Sequence, residues 1–151
     1  MLPLNSTIPM VLNRALDGIM PCYRELFAQH DLTEQQWRIL RALWEFKELR
    51  FVDLAEYTLL PKPSLVGIVD RLEARGLVER RRSKVDRRAV SVVSTAKGRA
   101  LAEQVLPKAQ AIHNHIRSSL TDDEWLMIEA AMEKVATQMS AARLEDIIEN
   151  S

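Results

Sequence analysis

Residues 50–94 read RFVDLAEYTLLPKPSLVGIVDRLEARGLVERRRSKVDRRAVSVVS, and their order of elements decides the fold. Phe51 to Tyr57 forms a short helix. Pro61 and Pro63 hold the residue between them away from helical geometry. A second helix then starts at Pro63, where a missing amide forfeits nothing. Leu65, Ile68, Val69 and Leu72 give that helix a buried stripe, while Ser64, Gly67, Arg71 and Arg75 lie away from it. Gly76 stops it. Leu77 to Arg82 and Ala89 to Ser94 are two short strands, paired as a hairpin around a Ser-Lys-Val-Asp-Arg-Arg tip. Helix, sharp turn, helix and basic ribbon make a winged helix-turn-helix, which places one helix in a major groove and a basic loop on the adjacent minor groove. The implied partner is double-stranded DNA.

Working outward, Ile8, Leu12, Ala15, Ile19, Tyr23 and Leu26 recur at helical spacing and predict a first helix running to about Gln29, kinked or split at Pro21. Thr33 and Gln36 form a capping box for a second helix that carries Trp37, Leu40, Leu43 and Trp44 and ends near Phe46. Thr95 caps a fifth helix with Leu101, Val105, Ile112 and Ile116 at nearly heptad spacing, interrupted by Pro107. A second capping box, Thr121 with Glu124, opens a last helix bearing Trp125, Ile128, Met132, Val135 and Met139. The fold class is mainly α with a minor β component: a winged helix-turn-helix at 33–96, and long helices at 1–32 and 97–151 forming a dimerisation region. These seams cannot all be buried on so small a winged domain. A twofold homodimer would bury them and present two recognition helices to a pseudo-palindromic operator, roughly 34 Å apart.

The chain has 151 residues and formal net charge zero, but the charge is polarised. Residues 62–88 hold nine Lys or Arg against four Asp or Glu, and residues 121–151 hold two against eight. The middle therefore faces DNA and the acidic end does something else. The N-terminus lacks a signal peptide's basic region, and no stretch approaches a membrane span, so the expectation is a cytoplasmic protein with no membrane partner. The single cysteine, Cys22, excludes an intramolecular disulfide and a Cys-based zinc site within one chain. His113 and His115, two apart on a helix, cannot chelate one metal. No metal, cofactor or catalytic constellation is expected.

Chemistry assigns DNA roles along the central segment. Lys62 precedes a helix N-terminus, where a cation is unfavourable unless a phosphate approaches. Pro63, Ser64 and Leu65 lie on the turn that reaches base edges, with Ile68 and Arg71 further along. Lys84, Arg87 and Arg88 at the wing tip suit the negative potential of a narrowed minor groove. Arg80, Arg81 and Arg82 alternate faces, so not all can point at DNA.

The segment PSLVGIVDRLEARGLVERRRSKVDRRAVSVVSTAKG (63–98) resembles the MarR family of bacterial transcription regulators, and the likeness runs from about Leu12 to about Met139. LTEQQWRILRAL (32–43) resembles the branch that controls breakdown of homoprotocatechuate and related aromatic acids. The resemblance implies a triangular dimer, a repressor released by a small aromatic ligand, Arg88 in the minor groove, and Asp86 paired with Arg71 as a brace for the wing. Gly67 departs from the pattern, since many members carry a polar base-reading residue there.

Between the first helix, the Trp37 and Trp44 face of the second helix and the winged domain, the topology predicts an apolar crevice suited to a phenyl ring. Arg14 matches an arginine of the aromatic-acid branch and is the expected carboxylate clamp; Arg38 and Arg41 are alternatives, and Tyr23 or His30 would bind a ring hydroxyl. Two other functions remain open: a thiol redox-sensing regulator through Cys22, and, more distantly, a small enzyme built on scattered carboxylates such as Asp53, Glu56 and Asp70.

Overall fold

The computed structural model describes residues 3–82, 90–143, 145 and 148. After a 3₁₀ turn at Leu4–Ser6 the elements are α1 (Ile8–Ala28), α2 (Glu34–Phe46), β1 (Glu48–Arg50), α3 (Phe51–Thr58), α4 (Lys62–Ala74), β2 (Val78–Arg82), β3 (Val90–Ser94), α5 (Ala96–Arg117) and α6 (Asp122–Ala141). The winged helix-turn-helix is present. β1, β3 and β2 form an antiparallel sheet in that order, with Leu49 opposite Val92 and Arg80 also opposite Val92 on the other side. No helix of the described residues is long and apolar enough to cross a membrane.

Both capping boxes form: the Gln36 amide donates to Thr33 Oγ1 at 3.1 Å and the Glu124 amide to Thr121 Oγ1 at 3.2 Å. One expectation needs correction, one is narrowed, and one strand was missed. Lys62 is helical although it precedes Pro63, because the Pro61 carbonyl already accepts the Ser64 and Leu65 amides at 2.9 and 3.0 Å. Proline in a first turn removes no intrahelical bond. Of the kink or break expected at Pro21, the break is absent, since α1 runs through it; Pro21 and Asp17 are exposed, so the carbonyl left without a donor lies on the solvent side. β1 had no signature of its own, being three residues long and defined by its pairing to β3.

One core joins Leu40 and Leu43 of α2, Leu54 of α3, Leu65 and Leu72 of α4, and Val92 of β3 to Leu26 and Phe27 of α1 and Ala102 and Val105 of α5. The divisions expected at 32 and 97 therefore cut through packed side chains. By packing, residues 1–112 form one compact unit and 113–151 a second. Within the second, His113 meets Trp125 edge-on at 5.9 Å and Arg117 lies over the same indole at 5.6 Å.

Gly98 locks the start of α5 to the sheet. A Cβ there would stand 2.0 Å from the Leu77 carbonyl oxygen, whereas a Cβ on Gly18 of α1 would meet nothing within 4 Å. Gly98→Ala is expected to destabilise the fold by about 3 kcal/mol through overpacking against backbone. Gly18→Ala should stabilise by up to roughly 1 kcal/mol. Urea denaturation followed by circular dichroism compares the two, and equal midpoints would contradict the interlock.

Candidate nucleic-acid interface

The second helix of the motif, α4, divides by burial. Leu65 and Ile68 are 1% and 3% exposed and belong to the core, so neither reaches a base edge. Their placement among DNA contacts is corrected: at 65, 68, 69 and 72 they share the inward stripe. Lys62, Pro63, Ser64 and Arg71 are exposed. A Cβ at Gly67 would stand 4.0 Å from Arg71 Nη2, so the guanidinium lies back over the glycine. Arg75, expected on the same outward face, instead turns to α1 and donates to the Asp31 carbonyl at 2.6 Å. Lys84, Asp86, Arg87 and Arg88 lie outside the described residues.

The base of the wing is anchored by a residue whose role was missed. Arg80, on the same strand face as Val78, donates to Glu73 and Asp70 of α4, and its backbone amide donates to Glu73 Oε1 at 3.0 Å. Its guanidinium also lies 5.6 Å from the Phe51 ring. Burial, the largest influence, opposes its charge, but the two carboxylates outweigh it and hold the group more firmly protonated than usual. Arg81 pairs with Glu79 at 2.7 Å, and Arg82 is exposed. Strand alternation with Val78, set against acids three apart on α4, was the available signal. At the start of α3, Arg50 grips Asp53 through two hydrogen bonds of 2.7 and 3.0 Å. Hydrogen bonding to Arg50, more than its charge, holds the Asp53 carboxyl below its ordinary range.

Two grooves flank α2. One, of about 460 Å³, is lined by Trp37, Arg38, Arg41, Phe46, Tyr57 and Thr58 among others. The other, of about 390 Å³, lies between α2 and α5 and includes Arg41, Trp44, Glu103 and Leu106. Arg41 lines both; it pairs with Glu45 at 2.7 Å and stacks 5.2 Å from the Trp44 ring centre. Trp37 is 8% exposed and stacks on Phe27 at 5.6 Å, so only part of its ring faces the groove. Phe46 and Tyr57 stack at 4.4 Å and were not anticipated, because they come from different helices. Arg14 is exposed on α1 and Tyr23 half-buried against Phe27; neither lines these grooves. Burial raises the Tyr23 hydroxyl above its ordinary pKa. His30 lines a separate crevice. Cys22 is exposed. Among the described residues no cluster of three or more His, Cys, Asp or Glu could hold a metal ion.

A profile of the MarR family matches residues 30–89. Over 144 residues the chain is 31% identical to the homoprotocatechuate degradative operon repressor of Escherichia coli, covering 95% of this chain and 97% of that protein. The chain belongs to the MarR family. It is a DNA-binding transcriptional regulator, and the relatives are regulators, not enzymes. It is 33% identical to the regulator FarR of Neisseria gonorrhoeae, over 87% of this chain and 90% of that one. Among solved structures, NadR in complex with 4-hydroxyphenylacetate superposes with a TM-score of 0.76 at 32% identity, covering 90% of this chain and 96% of NadR. A cysteine mutant of Escherichia coli MarR complexed with operator DNA gives 0.77 at 26% identity, covering 89% and 99%.

For this MarR-family chain the Arg80 anchor has a measurable role. Arg80→Met keeps the stem but frees the wing from Asp70 and Glu73, and should weaken DNA binding about tenfold, roughly 1.4 kcal/mol, with an unchanged far-UV spectrum. Fluorescence anisotropy on a labelled operator measures this, and full retained affinity would show that the anchor does not orient the wing.

Proposed function

We propose that the protein is a cytoplasmic, homodimeric repressor of an aromatic-acid catabolic operon, released by a small aromatic carboxylate. The observation that carries this reading is the groove between α2 and α3: Trp37, Phe46 and Tyr57 supply ring surfaces beside Arg38 and Arg41. Arene stacking with one bidentate arginine is the recognition such a ligand needs. The carboxylate role expected of Arg14 passes to Arg41, which would exchange Glu45 for the ligand. The 4-hydroxyphenylacetate complex of NadR supports the ligand class.

On DNA, Ser64 and Arg71 approach base edges, with Arg71 reaching over Gly67 to supply a donor the glycine lacks, while Lys62 takes a phosphate. Lys84, Arg87 and Arg88 take the minor groove and its backbone. Exposed Ile8, Leu12 and Leu16 on α1, and Leu126, Met127, Ile128 and Met132 on α6, supply apolar area for a second copy. Ligand between α2 and α3 would release DNA only by favouring a spacing of the two α4 helices that misfits the operator. A protein disulfide through Cys22 would require pairing between chains, since each holds one cysteine.

Calorimetry with 4-hydroxyphenylacetate tests the reading. Arg41→Met should weaken ligand binding at least about tenfold while sparing DNA affinity, and Arg14→Ala should leave both unchanged. Undiminished binding by Arg41→Met would remove the ligand from this groove. On DNA, two half-sites about 10 base pairs apart are expected, with affinity falling steeply as salt rises. Binding that is insensitive to sequence and salt would end the repressor reading.

A further inference from the structure

A third crevice, of about 300 Å³, opens where the C-terminal ends of α1 and α4 meet the first half of α5. Its polar lining is basic: His30, Arg75 and Lys97, beside Gln104. Lys108 adds a cation at its rim, its Nζ lying 3.5 Å from His30 Nε2. Elsewhere on the described surface Arg38, Arg41, Arg50, Arg80, Arg81 and Arg117 each face a carboxylate. Here, among the described residues, no ion pair joins His30, Arg75, Lys97 or Lys108 to an acid. Arg75 is held instead by the Asp31 and His30 carbonyls at 2.6 and 3.4 Å, and Lys97 by the Arg75 carbonyl at 2.8 Å.

Carbonyls fix Arg75 and Lys97 in place without neutralising them, so two positive charges border one concavity and repel one another. A bound anion would relieve that repulsion, and groups already immobilised lose little freedom on binding it. The floor is apolar, from Leu77, Ala100 and Leu101, and the volume exceeds what a bare oxyanion fills. We propose that this crevice is a second small-molecule site, separate from the groove at Arg41, for an organic anion: a carboxylate or phosphate on a compact apolar body. It lies at the opposite end of α4 from Ser64, about 16 Å along the helix axis. An occupant would tie α1, α4 and α5 together without meeting DNA.

Ring ¹H–¹³C spectra of the folded protein test this, because the chain has three histidines and His30 alone lines the crevice. Benzoate, phenyl phosphate and inorganic phosphate are titrated at constant ionic strength, with His30→Gln assigning the signal. Benzoate or phenyl phosphate should shift the His30 resonances saturably, with a Kd below about 1 mM; which of them binds more tightly identifies the anionic group. Lys97→Gln with Lys108→Gln should weaken this at least about tenfold without altering the fold, and Arg41→Met should not affect it. The proposal is overturned if no probe gives a saturable shift or if the double variant binds as well as the parent. Equal affinity for inorganic and phenyl phosphate, or loss of binding in Arg41→Met, also overturns it.

Discussion

The Leu77 carbonyl is where four elements are tied. Gly76 at φ 70° lets α4 turn out of its last helical bonds, with the Leu77 amide returning to Leu72 O at 3.0 Å and the Gly76 amide to Glu73 O at 2.8 Å. Both orphan carbonyls are thereby satisfied. The Thr95 amide then donates to Leu77 O at 3.1 Å, and Thr95 Oγ1 to Gly76 O at 2.7 Å, before the Thr95 hydroxyl accepts from Gly98. The end of α4, the start of β2, the end of β3 and the first turn of α5 thus share one small network. Its closeness depends on a residue without a side chain at position 98.

From that junction α4 and the base of the wing receive their orientation by different means. α4 is held by its apolar stripe, which is inseparable from the core. The base of the wing is held by charge, through Arg80 to Asp70 and Glu73. These acids sit in the most basic stretch of the chain, where they would weaken attraction for phosphate if unpaired. Engaged with Arg80, they serve the geometry of the wing, while Lys62 and Arg71 stay exposed.

Signals confined to a few neighbouring residues were legible in the sequence. The boxes at Thr33 and Thr121, the Gly76 stop and the period of α4 each depend on local backbone hydrogen bonding or side-chain spacing, and the helices follow. β1 was not legible, because Glu48 to Arg50 become a strand only by pairing with Ser91 to Val93. At the site the boundary is similar. Exposure of Lys62, Ser64 and Arg71 follows from helical period, and the same period, applied consistently, places Leu65 and Ile68 inside. The Arg80 anchor, the Phe46 and Tyr57 stack and the turn of Arg75 towards α1 are contacts between elements distant in sequence. Their partners are selected by packing, which no local pattern announces.

Holding α4 at its C-terminal end makes its N-terminal end a pointer. The helix is about 20 Å long, so a tilt of about 5° around the Gly76 junction moves Ser64 by roughly 1.7 Å. The tolerance of a hydrogen bond is about half an ångström in distance. On the proposed reading of α4 as the helix that enters the groove, base recognition at its tip would be an angular quantity, and an effector would not need to unfold or displace the helix to abolish it. A few degrees of rotation would then be enough to carry the tip out of register with the groove.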